Sequence, residues 1–279
     1  MSEKRNANFK FTLEQEEEII SMYLKGSSLE KTGKYWKCSS TTVKSILERH
    51  NVQTRNWSQA RRNYLNFTLN ENVFETIDNP DAAYWLGVMY SDGFISKAKY
   101  TNKFGLSIAE KDLEWLEKFK SFLNYNGEIK HYKIGTGYKT GAPYCRLVIG
   151  NNKIVNDLEK LGVVEHKTKK ISCLPKISFL NDFIRGYNDG DGSLRAKYPC
   201  IRISGNKDFL EDMANYLKLP YHLYPDKTIY CLSYNTKESS YLEKLLYKNA
   251  HYYLQRKYDI AKRSFNSPIT LEDVMKKSE

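Results

Sequence analysis

The sequence lacks the closely spaced cysteines and histidines that build disulfide frameworks and metal knuckles. Its five cysteines are scattered singly along 279 residues, at Cys38, Cys145, Cys173, Cys200 and Cys231. Because no two of them form a close pair, the pattern favours neither a disulfide-stabilised secreted domain nor a zinc knuckle. The five histidines are equally dispersed, which argues against a nuclease centre built on clustered histidines. These absences predict a protein of a reducing compartment.

Long apolar runs are also missing. No stretch reaches the roughly 20 apolar residues that cross a bilayer. The segment MSEKRNANFKF at the start holds no apolar core of signal-peptide length. We therefore expect a soluble chain with no membrane partner. At 41% apolar composition, its length suffices for one large domain and a second, smaller one.

Positive charge is what the sequence has in excess. Lysine and arginine number 44 against 33 aspartates and glutamates, which gives a formal net charge of +11 spread along the chain. A basic, folded protein of this kind is suited to a polyanion such as nucleic acid. A basic surface that is merely solvated is the alternative that charge alone leaves open.

Residues 12–50 have the pattern of three short helices. The first is predicted over Leu13–Leu24 and stops at Gly26, the second begins near Ser28, and the third covers Thr41–His50.

The sequence of Ser28–Val52 resembles the resolvase-type helix-turn-helix. It departs from that pattern at Gly33, where a small alanine is usual, and at Lys37, where the turn often has glycine. The resemblance implies that the third helix reads the major groove of DNA. Its DNA-facing residues would be Thr41, Thr42, Lys44, Ser45 and Arg49. A three-helix module that docks another protein is the alternative.

The next segment interleaves basic and aromatic side chains. Arg55, Arg61 and Arg62 alternate with Trp57 and Tyr64. We interpret the segment as a linker whose arginines contact the phosphate backbone, since arginine supplies fork-like donors to phosphate. Alternatively, the two aromatic side chains pack on the domain that follows.

From residue 82 the sequence repeats itself once. The first copy opens with AAYWLGVMYSDGFI (Ala82–Ile95) and the second with NDFIRGYNDGDGSL (Asn181–Leu194). Each opening is an apolar helix that ends in Asp-Gly, and each copy goes on through strand-like and helical segments. The repeat predicts two halves of the order helix, two strands, helix, two strands, helix.

Each opening helix carries a glycine five residues before its aspartate. These are Gly87 before Asp92 and Gly186 before Asp191. A glycine on a helix face is a notch without a side chain, so two such helices can pack unusually close.

We further expect Gly93 and Gly192 to end the helices in the left-handed conformation, which leaves each aspartate in the final turn. Two carboxylates there meet the negative end of the helix dipole and repel each other. A divalent cation such as Mg²⁺ would relieve that repulsion.

The stretches WLGVMYSDG (Trp85–Gly93) and IRGYNDGDG (Ile184–Gly192) resemble the two motifs of single-chain LAGLIDADG homing endonucleases, and the resemblance extends over residues 82–263. It implies an α+β fold with two pseudo-symmetric αββαββα halves that form a saddle on double-stranded DNA. Asp92 and Asp191, helped by the carbonyls of Ser91 and Gly190, would hold two or three Mg²⁺ ions. Metal-activated water would cut one phosphodiester bond per strand and leave short 3′ overhangs.

The implied protein is a monomer that cuts a long asymmetric site in the cytoplasm of a bacterial or phage-infected cell. Its predicted divisions are residues 1–54 as the helix-turn-helix domain, 55–80 as the linker, 81–173 and 174–265 as the two halves, and 266–279 as the tail.

Family members often add a basic residue just before the last helix of each half. Local alignment gives Lys153 and Lys237 as these catalytic cations, with solvated or phosphate-binding lysines as the alternative. A second polar position, for a water network, falls on Glu110 and Asn206, although Glu110 is acidic where glutamine is common.

The two motifs differ at one position, where the first has Tyr90 and the second Asp189. We interpret Tyr90 as a space-filling residue of the helix interface. Two other functions remain open: a transcription regulator that binds DNA without cutting, and an intron maturase that binds RNA. Retention of both metal-binding acids favours the endonuclease.

Overall fold

The computed structural model describes residues 10–56, 60, 67–133, 141–167 and 170–275. The chain divides into two compact units, Met1–Thr68 and Leu69–Glu279. Each unit has its own cluster of buried apolar side chains. Within the described ranges, every helix is too short or too polar to cross a lipid bilayer.

The first unit packs three helices around a small apolar core. Each helix begins where a hydroxyl side chain accepts a backbone N–H of the first turn, which has no partner within the helix. The helices are α1 (Leu13–Leu24, capped by Thr12), α2 (Leu29–Tyr35, capped by Ser28) and α3 (Ser40–Arg49, capped by Ser39). Their core side chains are Ile19, Tyr23, Val43, Ile46 and Leu47. The sequence predicted these three helices to within about two residues, the largest difference being at the end of α2.

The turn between α2 and α3 contains both positions that depart from the helix-turn-helix pattern, and it gives a steric reason for Gly33. A Cβ atom at Gly33 would lie 2.7 Å from the carbonyl oxygen of Cys38, so a side chain there would force the turn apart. Lys37 adopts the left-handed conformation with a φ of 52°, which is the conformation that glycine enters most easily.

The second unit contains both repeats, and each folds in the predicted order of helices and strands. The first repeat comprises α4 (Pro80–Ser91), β1 (Gly93–Ser96), β2 (Lys103–Ala109), α5 (Leu113–Phe122), β3 (Lys130–Tyr132), β4 (Tyr144–Gly150) and α6 (Asn152–Lys160). The second comprises α7 (Leu180–Asp191), β5 (Gly192–Leu194), β6 (Ile201–Gly205), α8 (Lys207–Leu217), β7 (His222–Asp226), β8 (Ile229–Ser233) and α9 (Thr236–Tyr247). The helices α10 (Gln255–Ala261) and α11 (Leu271–Met275) follow.

Each repeat builds one four-stranded antiparallel sheet. The strand order is β1-β2-β4-β3 in the first sheet and β5-β6-β8-β7 in the second. Side chains along β4 and β6 alternate between buried and more exposed positions, because one face of each sheet packs on the helices and the other stays open. The predicted α+β class is confirmed in this form, as two four-stranded antiparallel sheets with helices.

Two segments that the sequence placed outside the folded halves contribute to the core of the second unit. Phe74, within the predicted linker 55–80, is fully buried, and the backbone N–H of Asn70 donates to the carbonyl of Leu123 at 2.8 Å. Val274, within the predicted tail 266–279, is buried as well. Both segments carry apolar side chains that the second unit covers.

Candidate active site

The two motif helices, α4 and α7, contact each other backbone to backbone. A Cβ atom at Gly87 would overlap the carbonyl oxygen of Phe183 and lie 2.8 Å from the backbone nitrogen of Tyr187. In the other direction, a Cβ atom at Gly186 would overlap the carbonyl oxygen of Tyr84. The predicted glycine notches are therefore confirmed, and they set how closely the two helices approach.

The predicted left-handed ends of these helices are wrong. Gly192 has an extended backbone with φ −101° and ψ 171°, and Gly93 is the first residue of β1 without a positive φ. Each helix runs directly into a strand instead. Glycine is still required, because a Cβ atom would lie 2.5 Å from the Cα of Met89 at Gly93 and 2.5 Å from the carbonyl oxygen of Asn188 at Gly192.

The two aspartates meet at the carboxyl ends of the helices. Asp92 is the C-cap of α4, and Asp191 is the last residue of α7. Oδ2 of Asp92 would lie 3.1 Å from a Cβ atom at Gly190, so this carboxylate lies beside the last turn of the other helix. Both side chains remain open to solvent. The structure thus brings together two carboxylates that are 99 residues apart in sequence.

The surroundings of these carboxylates disfavour their charged forms. Partial desolvation, together with repulsion from Asp92, raises the pKa of Asp191 to about 6. Desolvation also raises the pKa of Asp92, against the attraction of Lys167 and Lys257. A bound cation would remove this penalty.

One lysine lies against the carboxyl end of each motif helix. Nζ of Lys257 donates to the carbonyls of Asn188, Asp189 and Gly192 at 2.5, 2.7 and 2.6 Å. Nζ of Lys167 donates to the carbonyl of Gly93.

Both of these ammonium groups are largely enclosed by protein. Burial lowers the pKa of Lys167 to about 8, although Asp191 and Asp92 favour its charged form. Burial likewise lowers the pKa of Lys257 to about 8, and Asp189 opposes that change. The site therefore holds two cations whose protonation can change near neutral pH.

Sequence reasoning missed these two lysines and chose others. Nζ of Lys153 is bound by the carboxylates of Glu75 and Asp157, each at 2.8 Å. Lys237 is exposed at the start of α9. Neither is among the leading charges that act on the aspartates.

A weak signal for one of the missed lysines is present in the sequence. Lys257 is only 2% exposed and shares a helix face with Leu254, Ile260 and Ala261, which lie three or four positions away. A lysine on an apolar helix face needs buried acceptors, which the end of α7 supplies. Lys167 carries no comparable signal, because it lies in the connector between the halves among other lysines.

The two residues predicted for a water network have different surroundings. Oε1 of Glu110 binds Nδ1 of His131 at 2.7 Å. Asn206 accepts the backbone N–H of Asp208 at 3.0 Å and lines a cavity of about 150 Å³ beside Asp191. Lys167 also lines this cavity. Asn206 therefore lies in the same cavity as an aspartate, and Glu110 is paired with a histidine of β3.

The donor set fits a hard divalent cation that retains water. In the part of the chain that the structure describes, no group of three or more His, Cys, Asp or Glu side chains is arranged to hold a metal. Two solvent-open carboxylates, Asp92 and Asp191, are what Mg²⁺ uses when waters and substrate phosphates complete its shell. The residues present therefore suit Mg²⁺ and do not suit a structural zinc site.

The open faces of the two sheets carry basic and aromatic side chains. In the first sheet, the guanidinium of Arg146 lies 4.6 Å from the ring centre of Phe94, and the rings of Tyr132 and Tyr144 stack at 4.7 Å. In the second sheet the exposed side chains include Arg202, His222 and Tyr224. Such faces combine phosphate donors with rings that can pack on sugars and bases.

Four of the five residues predicted to face DNA in α3 are exposed, namely Thr41, Lys44, Ser45 and Arg49. Lys44 forms an ion pair with Glu48 at 3.6 Å, and Arg49 forms one with Glu16 at 2.6 Å. Thr42 is half-buried and bonds the cap residue Ser39.

The predicted linker arginines are only partly described. The guanidinium of Arg55 lies 4.0 Å from the ring centre of Tyr23 and donates to the carbonyl of Ser27, so it is held within the first unit. Arg61 and Arg62, with the neighbouring Trp57 and Tyr64, lie outside the described residues.

Comparison with known proteins gives matches only at the level of structure. No family model matches this sequence, and no curated protein matches it. The homing endonuclease I-WcaI, bound to its DNA recognition sequence, is similar over 76% of this chain and 97% of its own, with a TM-score of 0.51 at 14% identity.

Other solved structures are similar at lower scores. The LAGLIDADG meganuclease I-AabMI bound to uncleaved DNA covers 67% of this chain and 90% of its own, with a TM-score of 0.46 at 12% identity. I-DmoI in complex with DNA and Mn covers 66% of this chain and 100% of its own, with a TM-score of 0.41 at 19% identity. At these identities the I-WcaI match shows a shared fold, the two-sheet α+β fold of a homing endonuclease.

Proposed function

We propose that this protein is a site-specific endonuclease that cuts both strands of a long, asymmetric double-stranded DNA target with Mg²⁺ and leaves short 3′ overhangs. One observation carries the proposal: two aspartates meet at the ends of glycine-notched helices, and a buried lysine lies against each end. A paired centre of this kind is suited to a substrate with two strands. The shared fold with I-WcaI, a homing endonuclease bound to its DNA, supports the assignment.

The aspartates and lysines divide the chemistry between them. Asp92 and Asp191 would hold two or three Mg²⁺ ions together with phosphate oxygens and water. Bound Mg²⁺ supplies a Lewis acid that polarises the phosphate and lowers the pKa of water. The ammoniums of Lys167 and Lys257 stabilise negative charge that builds on the phosphate. The pKa of Lys167, about 8, also suits it to pass a proton to a leaving oxygen, whereas Lys257 donates to three backbone carbonyls and acts through its charge.

The rest of the chain supplies DNA binding. The open faces of the two sheets follow the major groove, with Arg146 and Arg202 as phosphate or base contacts. The first unit acts as a helix-turn-helix domain that presents the exposed Thr41, Lys44 and Ser45 of α3 to DNA. The protein works as a monomer, because both halves of the centre are in one chain. Its five dispersed cysteines fit the reducing environment of the cytoplasm.

The test begins with selection of cleaved sites from a random DNA library in the presence of Mg²⁺. On the selected site, we expect Asp92→Asn and Asp191→Asn to lower the cleavage rate at least about 100-fold while the Kd for DNA changes little. Asp78→Asn, at an exposed residue that precedes α4 and lies outside both sheets, is the matched control. Normal cutting by either active-site variant would contradict the assignment. If the wild type binds DNA tightly but does not cut it, the result would favour a regulator.

A second comparison separates Lys167, which lies beside the aspartates, from Lys153, which the sequence predicted as catalytic. We expect Lys167→Met to lower the cleavage rate about 100-fold. Lys153→Met should cut nearly as fast as the wild type, since the ammonium of Lys153 is bound to Glu75 and Asp157. Rates are compared on the same DNA at saturating protein. The reverse ranking would return the catalytic role to Lys153.

A further inference from the structure

The residues two positions before the aspartates, Tyr90 and Asp189, are chemically unlike but make equivalent connections. The hydroxyl of Tyr90 donates to the carbonyl of Leu161. The carboxylate of Asp189 accepts the backbone N–H of Leu254 at 2.8 Å. Each connection therefore runs from a motif helix to a segment of the same repeat or its extension.

Each of these two segments also carries a lysine that bonds to the same motif helix. We call Tyr90 and Asp189, which bond the segments to the helices, the anchors. Lys167 follows Leu161 by six residues and donates to Gly93, at the end of α4. Lys257 follows Leu254 by three residues and donates to the carbonyls at the end of α7. Each motif helix is therefore bonded twice within its last turn, once by the residue two positions before the aspartate and once by the lysine.

In the first half, a glycine leaves room for the hydroxyl of the anchor Tyr90. Gly162, with a left-handed φ of 97°, follows the carbonyl that Tyr90 binds, and any side chain there would overlap the Tyr90 hydroxyl. The ring of Tyr90 packs edge to face on Phe183 at 4.9 Å. Tyr90 therefore does more than fill space in the helix interface, because its hydroxyl fixes the start of the connector.

The anchor in the second half is a fully buried carboxylate. Besides the N–H of Leu254, Asp189 accepts the hydroxyls of Tyr84 at 2.7 Å and Tyr247 at 2.6 Å. Three donors on a side chain that is 1% exposed hold it in one orientation. The segment from Leu254 to Lys257 is consequently fixed relative to α7.

We propose that Tyr90 and Asp189 are positioning residues, each of which sets the lysine of its own half against the end of its motif helix. The connections share no residue, so each anchor controls one lysine. The consequence for cleavage rests on the proposed function: loss of one anchor slows the cutting of one strand.

The first test uses the full-length protein without DNA or metal. Lysine acetylation by acetic anhydride is followed residue by residue with mass spectrometry. We expect Tyr90→Phe to raise the labelling rate of Lys167 about tenfold and leave Lys257 unchanged, and Asp189→Asn to do the reverse. Exposed Lys237 serves as the internal reference.

Tyr187→Phe is the matched control, because it removes a buried hydroxyl from α7 that bonds the carbonyl of Ser204 and no lysine segment. This variant should leave the labelling rates of Lys167 and Lys257 unchanged. Equal labelling of both lysines in Tyr90→Phe and in Asp189→Asn, or no change in either variant, would overturn the proposal. If Asp189→Asn does not fold, the Tyr90→Phe result decides, since that variant keeps the ring packing.

The second test measures nicking of each strand separately on a selected target. We expect about a tenfold slower cut on one strand for Tyr90→Phe and on the opposite strand for Asp189→Asn, with unchanged Kd for DNA. Equal slowing of both strands would indicate a merely structural role and contradict the proposal. If the wild type cuts no DNA, the endonuclease assignment fails, while the labelling result still decides whether the anchors position the lysines.

Discussion

Asp191 is held where its charge is unfavourable. It ends a helix, where the dipole is negative, and Asp92 lies close enough to repel it. Its pKa rises from an ordinary value near 3.8 to about 6 as a result. Residues whose charge lowers the stability of the fold in this way are typical of functional sites.

This placement predicts a pH-dependent gain of stability for Asp191→Asn. Because the folded-state pKa is raised, ionisation destabilises the fold as pH rises from about 4 to about 6, and the full penalty is present above that range. At pH 8 the variant should unfold at a higher urea concentration than the wild type. The gain in the free energy of unfolding should be no more than about 1 kcal/mol, because the carboxylate is open to solvent. At pH 4 the difference should vanish. Urea titrations without metal at several pH values measure it, and a gain that persists at pH 4 would contradict this account.

The sequence predicted that the two aspartates meet but did not place the two lysines beside them, and the reason is distance along the chain. Gly87 and Asp92 are five residues apart on one helix, so their geometry follows from local periodicity. Lys167 and Lys257 reach the helix ends through segments of different length and structure, so the two repeats do not align there. Arg49 is a similar case, because its partner Glu16 stands 33 positions away on another helix.

The helix pair is the element on which the centre depends. The backbones of α4 and α7 touch at their glycines, and the spacing that predicted these notches is local. The ends of the helices were predicted less well. Asp-Gly is compatible with a left-handed cap or with an extended exit, and tertiary pairing of β1 and β5 with their neighbouring strands selects the extended one.

A single methyl group at the notch should separate the helices. We expect Gly87→Ala to lower the free energy of unfolding by about 3 kcal/mol, because its Cβ would overlap the carbonyl of Phe183 and backbone cannot move aside cheaply. Gly141→Ala is the control, since a Cβ there would meet nothing within 4 Å. Urea denaturation compares the two. Equal stability of both variants would mean that the helices tolerate a wider separation.

At the scale of the whole molecule, the chain consists of two units with separate cores. The first unit buries Ile19, Val43 and Leu47, and no residue of that cluster belongs to the core of the second. Two cores make it possible for one unit to fold without the other. The function of each can therefore be measured separately.

Removal of residues 1–68 should weaken DNA binding without abolishing cleavage. We expect the Kd to rise about tenfold at near-physiological salt and its dependence on salt to become shallower, because fewer phosphates are neutralised. Fluorescence anisotropy over a range of salt concentrations gives both quantities, and cleavage of the same site checks the retained centre. Unchanged affinity would mean that the first unit is not a DNA reader.

A divalent cation held by the repelling carboxylates, as proposed, would also be a partner in folding. In the unfolded chain Asp92 and Asp191 are 99 residues apart and cannot share an ion, so such a cation would bind the folded state in preference. By mass action, free Mg²⁺ at 100 times its Kd would stabilise the fold by about 2.7 kcal/mol. Under the proposed function the newly made chain would be least stable before its first cation binds, and the metal concentration would set its lifetime as well as its activity.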